Sequence, residues 1–269
     1  MSRPSFHSAR HHVSAPSPRY GLARVLSKLG VCSRSQAELW IRAGRVSLDG
    51  RVIRDPQHPA PIEGRQIAVD GEPVHRVGHV HIAFNKPRGI VVSAADERGR
   101  ATVYTVLVAA GLPWLGPVGR LDKASEGLLL LSNDTRWAAG ITDPATHLEK
   151  TYHVQVAGLP DAAALGAMRA GVEDGGELLR ARRASLLRAG ARNAWLEVVL
   201  DEGRNRHIRR LLAALGFEVL RLVRVAIGPL QLGELPKGQW RHLGAAEVAA
   251  LGAGSKRAAD PLQERKARG

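Results

Sequence analysis

The sequence predicts an α+β protein in two parts: a small helix–helix–hairpin unit, then a larger domain on a mixed, mostly antiparallel sheet. Three observations predict it. Apolar residues recur at helical spacing near the start, at Leu22, Val25, Leu26 and Leu29, then at Ala37, Trp40 and Ile41. Directly after them, Asp49-Gly50 between short alternating runs marks a tight hairpin. Beyond residue 80 the apolar pattern becomes strand-like, with few long helical runs.

Residues 1–20 are polar, rich in Ser, Pro, Arg and His, and without apolar periodicity; they read as a flexible basic arm. His7, His11 and His12 lack a structured frame and are expected to be solvated. The compact unit spans residues 21–74. Its first helix ends at Gly30. Ser33, three residues before Gln36, opens the second as a capping-box start, and Gly44 closes it. Residues 45–52 then form the hairpin, and residues 66–69 a further strand ending in Asp70-Gly71. A short linker leads to the second domain, residues 80–250. There His81 to Phe84, Ile90 to Val92, Gly127 to Ser132, Tyr152 to Val156, Trp195 to Leu200 and Val219 to Ile227 read as strands. A helix is expected near residues 205–215, because Ile208, Leu211, Leu212 and Leu215 make a core-facing stripe. Residues 251–269 are small, basic and loop-like, and read as a flexible tail.

Composition narrows the function. In 269 residues, Lys and Arg outnumber Asp and Glu by 39 to 25, a net charge of +14, which points to a polyanionic partner, nucleic acid before membrane. Hydrophobic residues make up 44% of the chain, enough for a core, and no apolar run approaches the ~20 residues that cross a bilayer. One cysteine, Cys32, excludes a disulfide framework and suggests a reducing compartment, hence a cytoplasmic location. The charge is also placed. Arg24, Lys28, Arg34, Arg42, Arg45 and Arg51 all sit on the two helices and the hairpin, a basic face suited to phosphates.

The chemistry rests on sparse elements, since no Walker loop, dinucleotide fingerprint, HExxH or GxSxG motif is present. Gly119-Arg120-Leu121-Asp122 leads through Ser125-Glu126-Gly127 into the apolar run Leu128 to Leu131. Asp122 thus lies on a loop held by core, where functional groups tend to sit. On the residues alone, a turn aspartate paired to Arg120 or Lys123 is the better reading. Glu202-Gly203-Arg204-Asn205-Arg206-His207 opens the helix near residue 205, and Arg206, Arg209 and Arg210 fall off its apolar stripe. Cations at a helix N-terminus oppose its dipole, so the arrangement is unfavourable unless anions bind there. Tyr152 begins a strand after a charged turn, a place from which it could face a site.

Residues 21–53, with Gly30, Ser33, Arg34, Gly44, Val46, Asp49 and Gly50 as anchors, resemble the S4 RNA-binding domain. The stretches HIAFNKPRGI (81–90), VGRLDKASEGLLLLSND (118–134), KTYHVQVAG (150–158), EGRNRHIRRLL (202–212) and LRLVRVAIGPLQLGELPKGQWRHL (220–243) resemble the ribosomal RNA pseudouridine synthases of the small-subunit-type (Rsu) branch, which carry that domain N-terminally. The resemblance implies isomerisation of a specific uridine to pseudouridine without metal or organic cofactor. It implies Asp122 as the catalytic aspartate, Tyr152 stacking on the base, and Arg209 pairing with the aspartate. Arg120 would contact or replace the extruded nucleotide, and Ile227 would pack against the pocket. Arg204, Arg206 and Arg210 join Arg24, Lys28, Arg34, Arg42 and Arg45 as RNA contacts. His207 stands where the branch usually has Gln, and Leu211-Leu212 departs from an Arg/Met pattern. Ser125-Glu126 and the VQVAG ending look more like members acting on the large subunit, so that substrate is slightly favoured. The expected partner is ribosomal RNA or an assembling ribosomal particle, with the protein a monomer.

Overall fold

The computed structural model describes residues 18–93, 101–108 and 110–258. The histidines of the N-terminal arm and the last eleven positions of the tail lie outside the described residues. The chain divides into two compact units between Arg76 and Val77.

The first unit contains β1 (Arg19–Gly21), α1 (Leu22–Lys28), α2 (Arg34–Arg42), β2 (Val46–Leu48), β3 (Arg51–Val52), β4 (Pro59–Pro61), β5 (Ile67–Val69) and β6 (Glu72–Pro73). The helical stripes form its core: Leu22, Val25, Leu26, Ala37 and Ile41 are fully buried, with Val46 of β2 against them. Ser33 caps α2, its hydroxyl accepting from the Gln36 N–H at 3.0 Å. Asp49 and Gly50 take φ of +49° and +79°, the left-handed pair that a two-residue hairpin turn needs. Where an arm was expected through residue 20, β1 pairs antiparallel with β4 and α1 follows it without a break.

The second unit contains β7 (His81–Lys86), α3 (Val103–Val108), β8 (Gly116–Val118), β9 (Glu126–Ser132), α4 (Thr135–Thr142), a 3₁₀ turn (Pro144–Thr146), β10 (Lys150–Ala157), α5 (Ala162–Ala170), β11 (Val172–Asp174), β12 (Glu177–Leu179), β13 (Arg183–Ala189), β14 (Asn193–Leu200), α6 (His207–Ala214), β15 (Val219–Ile227), β16 (Leu230–Gln231), β17 (Trp240–His242) and α7 (Ala245–Ala258). Nine strands form one sheet, ordered β13-β14-β10-β15-β9-β7-β17, with β16 on β15 and β8 on β9. Every pairing is antiparallel except β15 with β9. Among the described residues, expected strand Ile90 to Val92 reduces to a single bridge between Val91 and Thr102, since Val91 bonds only the chain entering α3 there. The tail also differs from expectation: α7 continues helical to Ala258, anchored by Leu251 in the core.

That lone parallel junction divides the core. On one side, Val154 and Val156 of β10, Leu196 and Val198 of β14 and Leu222 of β15 meet Met168 of α5 and Ile208, Leu211 and Leu212 of α6. Burying each of those α6 side chains contributes about 1.5–3 kcal/mol. On the other side β9 is sandwiched: Leu129 and Leu131 pack with Phe84 and Leu121, while Leu128 and Leu130 pack with Ile141 and Leu251. Its Leu run is therefore apolar on both faces because both are covered. Tyr152 packs against the first cluster and against the Phe84–Leu121 cluster, and so marks the seam.

Candidate active site

A cavity of about 440 Å³ opens at this seam. Val118 to Asp122 and Ser125 line one side, Lys150, Tyr152, Leu222, Arg224 and Ile227 the floor, and residues 201–209 the other side. Asp122, Tyr152, Arg209, Arg120, Arg204 and Arg206 are all brought to it, and Ile227 packs in its wall. Asp122 is partly buried. Among the described residues, no side chain lies within hydrogen-bonding or ion-pair distance of its carboxylate.

The loop bearing Asp122 is fastened carbonyl by carbonyl. Arg224 Nη1 donates to the Arg120 carbonyl at 3.4 Å, and Lys86 Nζ to those of Asp122 and Ser125 at 3.2 and 2.8 Å. The Gly89 N–H donates to Lys123, and Arg209 Nη2 to Ala124 at 3.2 Å. Leu121 anchors the loop in the core. Three cations from β7, α6 and β15 thus hold one short loop, which fixes the carboxylate before any substrate arrives. The expected direct pairing of Arg209 with Asp122 is not formed. The Arg209 guanidinium instead bonds Ala124 and, through Nη1, the Val219 carbonyl at 3.2 Å. Burial pushes the Arg209 pKa down, the nearby cations Arg206 and Arg88 push it further, and Asp122 opposes them.

Arg210 is the other departure. One residue beyond Arg209 on the helix, it turns from the cavity and is clasped by Asp174 and Glu177 of the β11–β12 hairpin, each at 2.5 Å. In the first unit, Arg45 is held by Asp70 at 2.5 Å and lies 5.0 Å from the Trp40 ring centre. Arg24 and Lys28 lie over Tyr20 at 5.0 and 4.3 Å, while Arg34 and Arg42 are exposed. His207, at the start of α6, is 3% exposed, and neither ring nitrogen has a hydrogen-bond partner among the described residues. Burial pushes its pKa down, against the pull of Glu202, whose Oε1 stands 3.8 Å from Nδ1, and of the Arg180 backbone.

Sequence reasoning gave no role to Lys86, Arg224 or Lys150. Arg224, which lines the cavity, is buried, its Nε bonded to the Leu128 carbonyl at 2.7 Å and its Nη2 without a hydrogen-bond partner among the described residues. Burial, helped by Arg224, pushes the Lys150 ammonium down against the pull of Asp201. Lys86 is fully buried, and burial pushes its pKa down to about 8 despite Asp122 and Glu126. Below about 8 the ammonium is charged in folded and unfolded chains alike, and its burial cost is carried in full. Between about 8 and 10.5 only the unfolded chain keeps the proton, so the Lys86 contribution to stability rises with pH. Over that window the loop loses one N–H donor. Activity is expected to fall as pH rises through about 8, an alkaline limb that Lys86→Met removes while lowering kcat at every pH. Each orphaned carbonyl costs about 1–3 kcal/mol unless it reaches water. A pH profile of kcat for both proteins checks this; a variant that keeps the alkaline limb would show that Lys86 does not set it.

Residues 80–214 match the family model described as RNA pseudouridylate synthase, and residues 21–61 match the S4 domain. The chain belongs to the RNA pseudouridine synthase family. It is 36% identical over 230 residues to an RNA pseudouridine synthase of Aquifex aeolicus, a match covering 85% of this chain and 92% of that one. It is 34% identical over 230 residues to ribosomal large subunit pseudouridine synthase B of Haemophilus influenzae, covering 82% of this chain and 64% of the other. A crystal structure of a pseudouridylate synthase superposes with a TM-score of 0.59 at 30% identity, covering 87% of this chain and all of that one. The enzyme therefore joins an N-terminal S4 domain to a synthase domain of mixed sheet. Among the described residues no helix is long and apolar enough to cross a membrane.

Proposed function

We propose that this pseudouridine synthase isomerises one specific uridine of ribosomal RNA, in the large subunit by preference, with Asp122 as the catalytic carboxylate. The observation that carries the reading is the Asp122 carboxylate, free of any described side-chain donor, on a fastened loop inside a cavity that also holds Tyr152 and Arg209. About 440 Å³ admits a single flipped-out nucleoside but no duplex, so the target leaves its stack at a cost of a few kcal/mol. The carboxylate either attacks C1′ or takes a sugar proton, and the bond between C1′ and the base N1 breaks. The freed base turns in the cavity and rejoins C1′ through C5 as the carboxylate is displaced or returns its proton; the C5 proton then leaves, assisted by Tyr152, and N1 takes up a proton. No atom is gained or lost, and the task is to hold the free base and exclude water. Arg209 positions the loop and lends positive potential. Arg120, Arg204 and Arg206 at the cavity meet the RNA backbone, with Arg24, Lys28, Arg34, Arg42 and Arg45 of the S4 domain as further contacts. The large-subunit preference draws support from the Haemophilus influenzae relative. The protein acts in the cytoplasm as a monomer.

Mapping pseudouridine across ribosomal RNA from cells lacking this protein tests the reading. One large-subunit site is expected to revert to uridine; an unchanged map would end it. Product mass is an independent check, since isomerisation conserves it and base loss or strand cleavage does not. For the S4 face, Arg34→Ala or Arg42→Ala is expected to lower the slope of log affinity against log salt by about one unit. An unaltered slope in filter binding would mean that these guanidinium groups meet no phosphate.

A further inference from the structure

The sheet has a second face. On β13, β14, β10 and β15, the residues on one side are buried against α5 and α6. On the other side, register aligns Arg188, Trp195, Gln155 and Arg221 in one row across four strands. Ser185, Glu197, His153 and Val223 form the next row. Among the described residues of this unit no helix covers this side. Trp195 is half-buried there, with the Arg188 and Arg221 guanidinium carbons 5.2 and 5.5 Å from its ring centre.

The charges favour a polyanion. Arg188 is exposed and has no carboxylate partner among the described residues. Arg221 shares the buried Glu126 with Lys237, so two cations meet one anion. Burial pushes the Glu126 carboxyl up, but the bonds from Arg221 and Lys237 prevail and hold it below its ordinary value. This row also connects to the cavity. Arg209 binds the carbonyl of Val219, exposed Arg88 binds that of Leu220 at 3.4 Å, and Arg221 is the next residue of β15. Two arginines therefore bind the two residues that precede Arg221 on the strand, which links the cavity side to the Trp195 row.

We propose that this outer face is a second RNA surface, which takes a single-stranded segment flanking the target nucleotide. A base stacks on the indole or on the guanidinium planes beside it, and phosphates meet Arg188 and Arg88. Aromatic rings interleaved with arginines recognise single strands in this way without reading sequence. An acidic protein would find the same charges, but it has no base to lay on the row of planes. The proposal rests on the reading of RNA as substrate.

The test uses the full chain and RNA stem-loops with a uridine in the loop, either blunt or carrying an oligoadenylate extension of about six nucleotides at the 5′ or the 3′ end. The native protein is expected to bind one extended form about tenfold more tightly than the blunt form. Trp195→Ala and Arg188→Glu are expected to remove that gain while leaving affinity for the blunt form, and its conversion at saturation, unchanged. Arg188→Glu keeps the indole, and so separates loss of the surface from loss of packing. A gain retained in both variants, or absent from the native protein, overturns the proposal. A native protein that gains from an extension yet forms no pseudouridine in ribosomal RNA from cells lacking it would refute the isomerase reading and leave the surface standing.

Discussion

Asp122→Asn is expected to abolish conversion of uridine to pseudouridine, by on the order of 10⁴-fold or more, while RNA affinity stays within a few-fold of the parent. The two side chains are nearly isosteric, and the loop is held by its backbone carbonyls: Lys86, Arg224, Arg209 and the Gly89 N–H bind carbonyls from Arg120 to Ser125 and never the carboxylate. Losing the charge therefore leaves the scaffold standing. On the proposed mechanism, what disappears is the anionic oxygen that would attack the nucleoside or take its proton, and a neutral carboxamide does neither at useful rates. On the proposed reading, affinity rests mostly on arginines that meet the RNA backbone, and the substitution touches none of them. Release of label from C5-tritiated uridine in RNA reads the activity, and salt-controlled filter binding reads the affinity. Full activity in the variant would strip Asp122 of its role. Lost activity with equally lost affinity would make it a binding residue instead.

Much of this arrangement is legible in the sequence, and the reasons for success and failure are physical. Local signals carry far: the Ser33 cap, the Asp49-Gly50 turn and the stripe Ile208, Leu211 and Leu212 are fixed by contacts within a few residues. Resemblance points to Asp122, Tyr152 and Arg209 together, and the fold does place them around one cavity. Long-range polar contacts leave no such trace. A lysine buried in β7 to bind carbonyls some 40 positions away looks, in sequence, like any surface lysine. Arg209 and Arg210 are neighbours in the chain, but each residue of a helix turns by about 100°. One therefore reaches the Asp122 loop, and the other faces Asp174 and Glu177 on a hairpin whose existence no periodicity announces. Helix α5, AAALGAMRA, escapes notice because alanine and glycine blur its apolar face, although Asp161 caps it at 2.8 Å.

Gly127→Ala is expected to destabilise the catalytic domain by about 3 kcal/mol or more and to reduce activity in whatever fraction remains folded. Gly127 sits where β9 and β15 run parallel, directly opposite Arg224. A Cβ there would lie 2.3 Å from the Arg224 carbonyl oxygen and 2.8 Å from its nitrogen, both backbone atoms with no freedom to swing aside. The φ of +97° adds strain that any L-residue but glycine would feel. Relief requires the two strands to part at the one place where the halves of the sheet are joined in parallel. The consequences run straight to the cavity. Arg224 would withdraw from the Arg120 and Leu128 carbonyls, and Arg221 would lose its alignment with Glu126. Against a typical domain stability of about 5–15 kcal/mol, such a loss is large enough to lower the denaturation midpoint clearly. Urea unfolding of native and variant proteins measures it. A difference below about 1 kcal/mol would mean that the strands part easily, and the fastening of the aspartate loop from β15 would then be far looser than these distances imply.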